Sequence, residues 1–154
     1  MRVAVVIEQC WHQVPGGTAR SVIQQLEAVA ALSADATAER DRVQQVGVAA
    51  YHRHPPAEPW VPPILVRQLP LPRRALYETW HRFGWPKVER ATGPVDLIHA
   101  TGYAVPPRTV PLVVTLHDLA WRRDAGHFTR HGTRFFEAAL ARTRDLADLV
   151  ICPS

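Results

Sequence analysis

Two histidines that follow apolar runs are the residues of this sequence best suited to chemistry near neutral pH. His117 comes directly after the run 112–116 (LVVTL) and precedes Asp118, and His99 closes the run 95–98 (VDLI). Imidazole titrates near neutrality, so such a residue can donate a hydrogen bond to a substrate hydroxyl or steer a proton. The alternative interpretation is a loop histidine capped by its neighbour, or one whose hydrogen bonds are satisfied inside the fold.

A pair of glycines after the first apolar run indicates a place where the backbone could approach a ligand. Pro15, Gly16, Gly17 and Thr18 stand between the run 3–7 and a helical pattern for which Thr18 is the expected N-cap. Glycine allows close approach, and the N–H groups at a helix start favour an anion such as phosphate. The spacing is neither GxGxxG nor that of a phosphate loop ending in Gly-Lys-Ser/Thr, so a simple tight turn stays open.

Metal binding and thiol chemistry are the remaining options for the reactive side chains. His99, His117 and Asp118 could share a metal ion, but no fixed ligand spacing supports such a site, and we expect none. Cys10 and Cys152 are too few for a disulfide scaffold, which indicates a reducing, cytoplasmic location. We expect Cys10 to be accessible to solvent and Cys152 to be a small buried apolar residue.

The elements that must position these residues alternate between apolar runs and helical stripes. The runs are continuous, which is typical of strands buried on both faces, and they cover residues 3–7, 46–50, 64–69, 95–98, 112–116 and 149–152. The alternation predicts a single Rossmann-like α/β domain over residues 1–154. Its doubly wound parallel sheet has about six strands in the order 3-2-1-4-5-6, with helices on both faces.

The carboxyl ends of parallel strands are where ligands bind in such sheets. This rule selects four segments for the chemistry of the chain, namely residues 9–18, 100–107, 117–123 and 153–154. Because His99 and His117 end runs that are neighbours in the predicted strand order, we expect the two rings to lie close together.

The second of three helical stripes carries an unusual composition. Aromatic and basic residues are interleaved over positions 80–87 (WHRFGWPK), a pattern that could lie on an anionic membrane surface. Leu76, Trp80 and Phe83 share one face at helical spacing, so the favoured interpretation places these side chains in the core. The other stripes run over residues 19–30 and 136–146.

Composition excludes several classes of protein. An apolar fraction of 47% and a charged fraction of 21% are ordinary for a globular chain and exclude general disorder. No run approaches the ~18 apolar residues of a membrane-spanning helix. A net charge of +4 is too small to argue for nucleic acid as a partner. Seven of the 14 prolines lie between positions 55 and 72, which predicts an exposed, irregular loop over residues 51–63.

Taken in order, these motifs resemble the N-terminal half of a retaining GT-B glycosyltransferase of the family 4-like group. The points of similarity are residues 15–18 (PGGT), 95–100 (VDLIHA), 111–119 (PLVVTLHDL) and 147–154 (ADLVICPS). The similarity extends over the whole chain and is most specific from residue 95 onward. It implies two Rossmann-like domains that face a cleft. The N-terminal domain would hold the acceptor, and the C-terminal domain would bind a nucleotide-diphosphate sugar and carry a pair of glutamates.

The resemblance also implies roles for individual residues. The glycine turn would approach the donor diphosphate, and His117 would hydrogen-bond the transferred sugar near the reacting carbon. The loop 100–107 would form part of the acceptor wall. The candidate set is His117 as the catalytic residue, with Gly16, Gly17, Thr18, His99, Thr101, Tyr103 and Asp118 as substrate-binding residues. No metal or cofactor is implied, since the leaving phosphate itself can take the acceptor proton.

Three functions follow as hypotheses. The first is the acceptor-side domain of a hexosyl- or mannosyl-type transferase acting on a glycan or lipid-linked acceptor, cytoplasmic or peripheral at the inner membrane face. The sequence carries no glutamate pair or donor domain, so we expect the chain to be inactive, or nearly so, alone. The second is a non-catalytic module that binds a sugar or a partner protein. The third, a dinucleotide binder, is disfavoured because the run 48–51 (VAAY) ends without an acidic residue.

Overall fold

Within residues 1–153, which the computed structural model describes except for the side chains of residues 40 and 125, six short strands form one sheet. They are β1 Arg2–Val6, β2 Gln44–Ala49, β3 Val66–Gln68, β4 Leu97–Ala100, β5 Leu112–Thr115 and β6 Leu149–Ile151. Every neighbouring pair is parallel, and the order is β3-β2-β1-β4-β5-β6. The predicted α/β class and the order 3-2-1-4-5-6 are therefore confirmed.

The helices that connect these strands lie on both faces of the sheet, as predicted. Their bounds are α1 Gly16–Ala34, α2 Arg73–Phe83, α3 Glu89–Thr92, α4 Ala120–Arg123 and α5 Arg130–Leu146. Short 3₁₀ turns cover Glu8–Trp11, Glu39–Asp41 and Ala125–His127. None of the helices in residues 1–153 combines the length and the hydropathy that crossing a bilayer requires.

Strand β1 shows how the alternation of a strand divides the core between two layers. Val3 and Val5 pack with Val22 and Leu26 of α1 on one face of the sheet. Ala4 and Val6, which alternate with these two residues along β1, belong to a second cluster on the other face of the sheet. That second cluster also contains Leu76 and Trp80 of α2, Ala139 of α5, Ile98 of β4 and Val114 of β5. Two-sided burial of this kind requires the continuous apolar runs seen in the sequence.

Helix α1 begins earlier than expected, and the prediction of Thr18 as its N-cap is wrong. Pro15 occupies the N-cap position, and the helix starts at Gly16, which has a φ of 60°. Thr18 consequently lies in the first turn, where its hydroxyl donates to the carbonyl of Pro15 at 3.2 Å. The helix can begin at residue 16 because a positive φ costs glycine little conformational energy.

The edge strand β6 and the two cysteines depart from the predicted burial. Leu149 is 57% exposed, because β6 has a neighbour on one side only and the helices leave it uncovered. Cys152, predicted to be buried, is exposed just beyond this edge, and Cys10, predicted to be accessible, is buried beneath α1. The carboxylate of Asp148 fixes the edge by accepting hydrogen bonds from the backbone N–H of Leu112 and from Arg108.

The predictions for the proline-rich segment and for the second helical stripe are confirmed in part. Residues 51–63 contain no helix or strand and are largely exposed, although Pro56 and Pro62 are buried. Leu76 and Trp80 are core residues, as expected. Phe83, the third member of the stripe, is 75% exposed, because α2 ends there and Gly84 turns the chain with a φ of 59°.

Replacing Leu76 by alanine should lower the free energy of unfolding by about 2–5 kcal/mol, since it leaves a cavity in a close-packed core. Leu32 is the matched control, because it is also a helical leucine but is 73% exposed, whereas Leu76 is 1% exposed. Leu32→Ala should change the free energy by no more than about 0.5 kcal/mol. Urea unfolding of both variants measures the difference, and equal effects would contradict the burial of α2 described above.

Candidate functional site

A pocket of about 290 Å³ opens at the carboxyl-terminal edge of the sheet. Three segments that follow strands β1, β4 and β5 form its floor, and helices α1, α2 and α5 form its walls. It is lined by Gln9, His12, Thr18, Tyr77, Gly102, Tyr103, Ala104, His117, Phe135 and Phe136. The structure thus brings together His117, Thr18 and Tyr103, which the sequence analysis selected from three separate segments.

Thr101 lies directly beneath this pocket and is only 1% exposed. Its hydroxyl donates to the carbonyl of Val6 and accepts from Nε2 of Gln9 at 3.0 Å. Its carbonyl accepts from Gln9 Nε2 at 2.6 Å and from Nε2 of His117 at 3.0 Å. The hydroxyl and the carbonyl of Thr101 are both engaged within the protein, so its position is that of a residue that holds Gln9 and His117 in place.

The imidazole of His117 is held in one orientation by this arrangement. A carbonyl oxygen can only accept a hydrogen bond, so Nε2 of His117 must carry a proton and donate it to Thr101. The ring is half-buried and lines the pocket. Orientation by a fixed backbone carbonyl is how proteins commonly determine which ring nitrogen carries the proton.

Aromatic rings make up one wall of the pocket. Tyr103 meets Phe136 edge to face, with ring centres 4.9 Å apart, and meets Trp121 in the same manner at 5.3 Å. The Tyr103 hydroxyl donates to the backbone carbonyl of Asp118 at 2.6 Å, and burial raises the pKa of this phenol. The wall is therefore rigid and presents mostly carbon to the pocket.

Asp118, although next to His117 in the chain, does not line the same pocket. Its carboxylate is exposed and accepts from the backbone N–H of Ala120 at 2.8 Å, where α4 begins. The residue instead borders a larger, open depression of about 870 Å³ that also includes Leu116, Arg123 and Cys152. Successive residues beyond a strand point to different sides, which separates the two predicted site residues.

His99 lies on the face of the sheet that α1 covers, opposite to α2 and α5, in an apolar groove beside α1. Its neighbours there include Val5, Val22 and Leu26, and its Nε2 lies 2.8 Å from the hydroxyl of Thr115. Burial, and secondarily the positive charge of His117, lower the pKa of His99 to about 4. His117 contributes to the lowered pKa of His99, but the structure does not bring His99 into the pocket.

The glycine turn is open to approach from outside. A Cβ atom placed on Gly16 or on Gly17 would meet no other atom within 4 Å, and both residues are exposed. Their backbone N–H groups belong to the first turn of α1, where a helix has no internal acceptors to offer. The turn is next to the pocket, because Thr18 lines the pocket wall.

Sequence reasoning missed the buried carboxylate of Glu8, which begins the 3₁₀ turn after β1 and is 1% exposed. One oxygen accepts from the backbone N–H of Ala50, and the other lies 2.8 Å from Nε2 of His52. His52 in turn stacks on Trp11 with ring centres 4.7 Å apart. Burial raises the pKa of Glu8, against the opposing effects of Ala50 and His52. A charged residue directly after a buried strand was the available signal.

The pocket is also formed by residues whose roles the sequence did not reveal, chiefly Gln9, His12 and Tyr77. Burial, followed by the positive charge of Arg73, lowers the pKa of His12. Burial raises the pKa of Tyr77 well above its usual value, so its hydroxyl is protonated at neutral pH. None of the described lining residues is an aspartate, glutamate, lysine or arginine. The pocket therefore suits an uncharged group better than an ion.

Among residues 1–153, no group of three or more histidine, cysteine, aspartate or glutamate side chains is placed to hold a metal ion. His99, His117 and Asp118, the set considered for a metal, lie on different sides of the sheet edge. Ser154, the last residue of the fourth selected segment, lies outside the described residues.

Comparison with known families agrees with the fold. The family model of Glycosyltransferase Family 4 matches residues 15–154, and the chain belongs to this family. Together with the six-stranded parallel sheet, this match identifies an N-terminal GT-B glycosyltransferase domain of the family 4-like group. No curated protein and no solved structure matches the chain significantly.

The depressed pKa of His99 predicts a loss of stability in mild acid. The unfolded chain binds a proton near pH 6.5, whereas the folded chain resists protonation until about pH 4. Stability should therefore fall as the pH drops through this window, by at most about 3 kcal/mol from this residue. In His99→Gln, which can still hydrogen-bond Thr115, that part of the pH dependence should disappear.

Urea unfolding at several pH values between 7 and 4 checks this expectation. Carboxylates titrate mainly below pH 5, so the range from 6.5 to 5 reports chiefly on histidines. Parallel curves for the wild type and His99→Gln across that range would show that the ring is not held neutral by the fold.

Proposed function

We propose that this chain is the acceptor-side domain of a nucleotide-sugar-dependent retaining glycosyltransferase that catalyses hexosyl- or mannosyl-type transfer to a glycan or lipid-linked acceptor. The observation that carries the proposal is the pocket at the carboxyl edge of β1, β4 and β5 in a chain of Glycosyltransferase Family 4. In open α/β sheets this edge is where ligands bind. The nucleotide-diphosphate sugar is a substrate in this scheme, and the chain needs no resident cofactor or metal.

The pocket supports an acceptor role through its size and polarity. A volume of about 290 Å³ is at the lower end for small-molecule sites and accommodates about one sugar ring. Its uncharged lining suits the neutral hydroxyl groups of an acceptor, whereas the donor diphosphate would need positive charge or helix N-termini. The open turn at Gly16 and Gly17 offers such N–H groups a short distance away.

His117 is the proposed catalytic residue, and its fixed orientation supports that role. The Thr101 carbonyl holds the ring, so the imidazole is already positioned when the sugar arrives. A hydrogen bond between this preorganised ring and a hydroxyl of the transferred sugar orients the sugar for reaction. It thereby lowers the barrier for breaking the bond between the anomeric carbon and the leaving phosphate.

Joining residues 1–154 to the donor domain of a family 4 glycosyltransferase tests the proposal. We expect sugar transfer from a nucleoside-diphosphate hexose to an oligosaccharide acceptor, and no turnover from residues 1–154 alone. Sugar binding without any transfer in the joined protein would favour the alternative, a non-catalytic sugar-binding module.

In that joined protein, His117→Ala should reduce kcat/KM by about 10²–10³-fold, the usual effect of removing one preorganised hydrogen-bonding group from the reaction site. The melting temperature should fall by only a few degrees, because the hydrogen bond from His117 to Thr101 is worth about 1 kcal/mol. His131, which is exposed at the start of α5, provides the control, and His131→Ala should leave both quantities unchanged. Near wild-type turnover in His117→Ala would remove His117 from the reaction. A large stability loss with a proportionate activity loss would assign it to the fold.

We further propose peripheral contact with the inner membrane face through the end of α2 and the segment after it. Phe83 is 75% exposed and Trp85 is 46% exposed. Arg82, Lys87 and Arg90 are exposed around them, and the Arg90 guanidinium lies 5.7 Å from the centre of the Trp85 ring. Exposed aromatic rings surrounded by cations suit the boundary between headgroups and acyl chains of an anionic bilayer.

Vesicle co-sedimentation tests the membrane contact. The wild-type chain should bind phosphatidylglycerol vesicles more tightly than phosphatidylcholine vesicles. Phe83→Ser combined with Trp85→Ser should weaken binding by about tenfold or more, because two apolar rings are no longer transferred from water into the bilayer. Leu32→Ser removes an equally exposed apolar residue from α1 and should have no effect. Equal binding by all three proteins, or no binding at all, would contradict the proposed surface.

A further inference from the structure

The side-chain amide of Gln9 is held in one direction beneath the candidate pocket. Gln9 is 8% exposed, and its Nε2 donates to the carbonyl of Thr101 at 2.6 Å and to the Thr101 hydroxyl at 3.0 Å. A carbonyl accepts hydrogen bonds but cannot donate them, so the amide nitrogen must face Thr101. The amide oxygen, Oε1, must then face away from Thr101.

Within residues 1–153, Oε1 of Gln9 is buried and has no hydrogen-bond partner. Gly102 preserves this arrangement, because a Cβ atom at that position would lie 2.7 Å from Gln9 Nε2. Buried polar atoms are paired in the great majority of cases, and an exception needs an explanation. Here the explanation is suggested by position, since Gln9 and Gly102 both line the pocket.

The other groups around the pocket define what could pair with this oxygen. The amide oxygen is an acceptor, so the partner must be a donor such as a hydroxyl. The described lining carries no carboxylate, lysine or arginine, and its aromatic wall presents carbon to any occupant. A ring with hydroxyl groups on its edge and C–H groups on its face matches both features.

We propose that the pocket binds a neutral cyclic polyol of the pyranoside class, with one ligand hydroxyl donating to Gln9 Oε1 while the C–H face of the ring packs against Phe136 and Tyr103. Gln9 is then a residue that binds the acceptor ring through its amide oxygen. This inference rests on the proposed function in taking the ring to be the terminal sugar of the acceptor. Because neighbouring atoms cover Oε1, binding includes a small rotation of a side chain in the pocket wall, a common adjustment on ligand binding.

Titration of the ¹⁵N-labelled chain with methyl hexopyranosides of the gluco, manno and galacto series tests the proposal. Tetrahydropyran serves as the matched ring without hydroxyl groups. We expect at least one hexopyranoside to shift the amide signals of Gln9, Gly102 and Tyr103, and to bind about tenfold or more tightly than tetrahydropyran. Equal affinities, or no shifts in these residues with any hexopyranoside, would overturn the proposal.

Substitution of Gln9 separates the amide oxygen from the rest of the pocket. Gln9→Met keeps the length of the side chain but removes the acceptor, and should weaken hexopyranoside binding by about tenfold. If this variant does not fold, Gln9→Lys replaces it, because the ammonium can still donate to Thr101 but cannot accept. Gln13→Met, at an exposed glutamine four residues away, is the control and should bind as the wild type does. Unchanged affinity in the folded Gln9 variant would refute the role of Oε1.

The outcome can be separated from that of the proposed function. Binding that depends on Gln9, combined with no transfer in the protein joined to a donor domain, would support the ring site and reject the transferase. Transfer whose acceptor KM is unaffected by Gln9→Met would support the transferase and reject the ring site.

Discussion

The hydrogen bonds of Thr101 hold together the three strand ends on which the candidate site depends. A parallel sheet leaves its carboxyl-terminal loops without ladder partners, so other bonds must fix their positions. Thr101 supplies them by contacting Val6 at the end of β1, Gln9 in the following turn, and His117 beyond β5. Because Thr101 is only 1% exposed, these bonds are shielded from water, and losing one would leave a buried group unpaired.

The same end of the sheet contains a second polar centre built around Glu8. Its carboxylate joins Ala50, which follows β2, to His52, and Trp11 covers His52 by stacking. The Trp11 ring also donates to the carbonyl of His54, so the proline-rich segment is fastened to the turn after β1. Thr101 and Glu8 together fix both sides of the turn 8–11, and this turn presents Gln9 to the pocket.

The separation of charge across the molecule is consistent with a domain that handles a neutral acceptor. The pocket lining is aromatic, amide and imidazole in character, whereas the exposed cations of the described residues include a group at the end of α2. A neutral pocket can bind sugar hydroxyls without attracting the phosphate of the donor, and a cationic surface elsewhere can engage lipid headgroups. The two proposed functions therefore make different electrostatic demands on different parts of one small fold.

Much of the fold was determined by the sequence alone. Continuous apolar runs separated by helical stripes indicated a doubly wound parallel sheet, for which 3-2-1-4-5-6 is a common strand order. The motifs 95–100 and 111–119 placed His117 at a carboxyl edge, where the structure has it. These features are local or periodic, so they can be recognised in the linear chain.

What only the tertiary structure decided depends on contacts between distant residues. Nothing in the pattern around His99 shows which face of β4 it occupies, because a strand alternates and a shift of one residue exchanges the faces. The sequence predicts that Cys152 and Leu149 are buried, because the composition of an edge strand can be the same as that of a central strand. Only the sheet order shows that β6 lies at the edge. The proposed role of Gln9 depends on Thr101 and Gly102, which lie more than 90 positions along the chain, and such a meeting of segments is created only by folding.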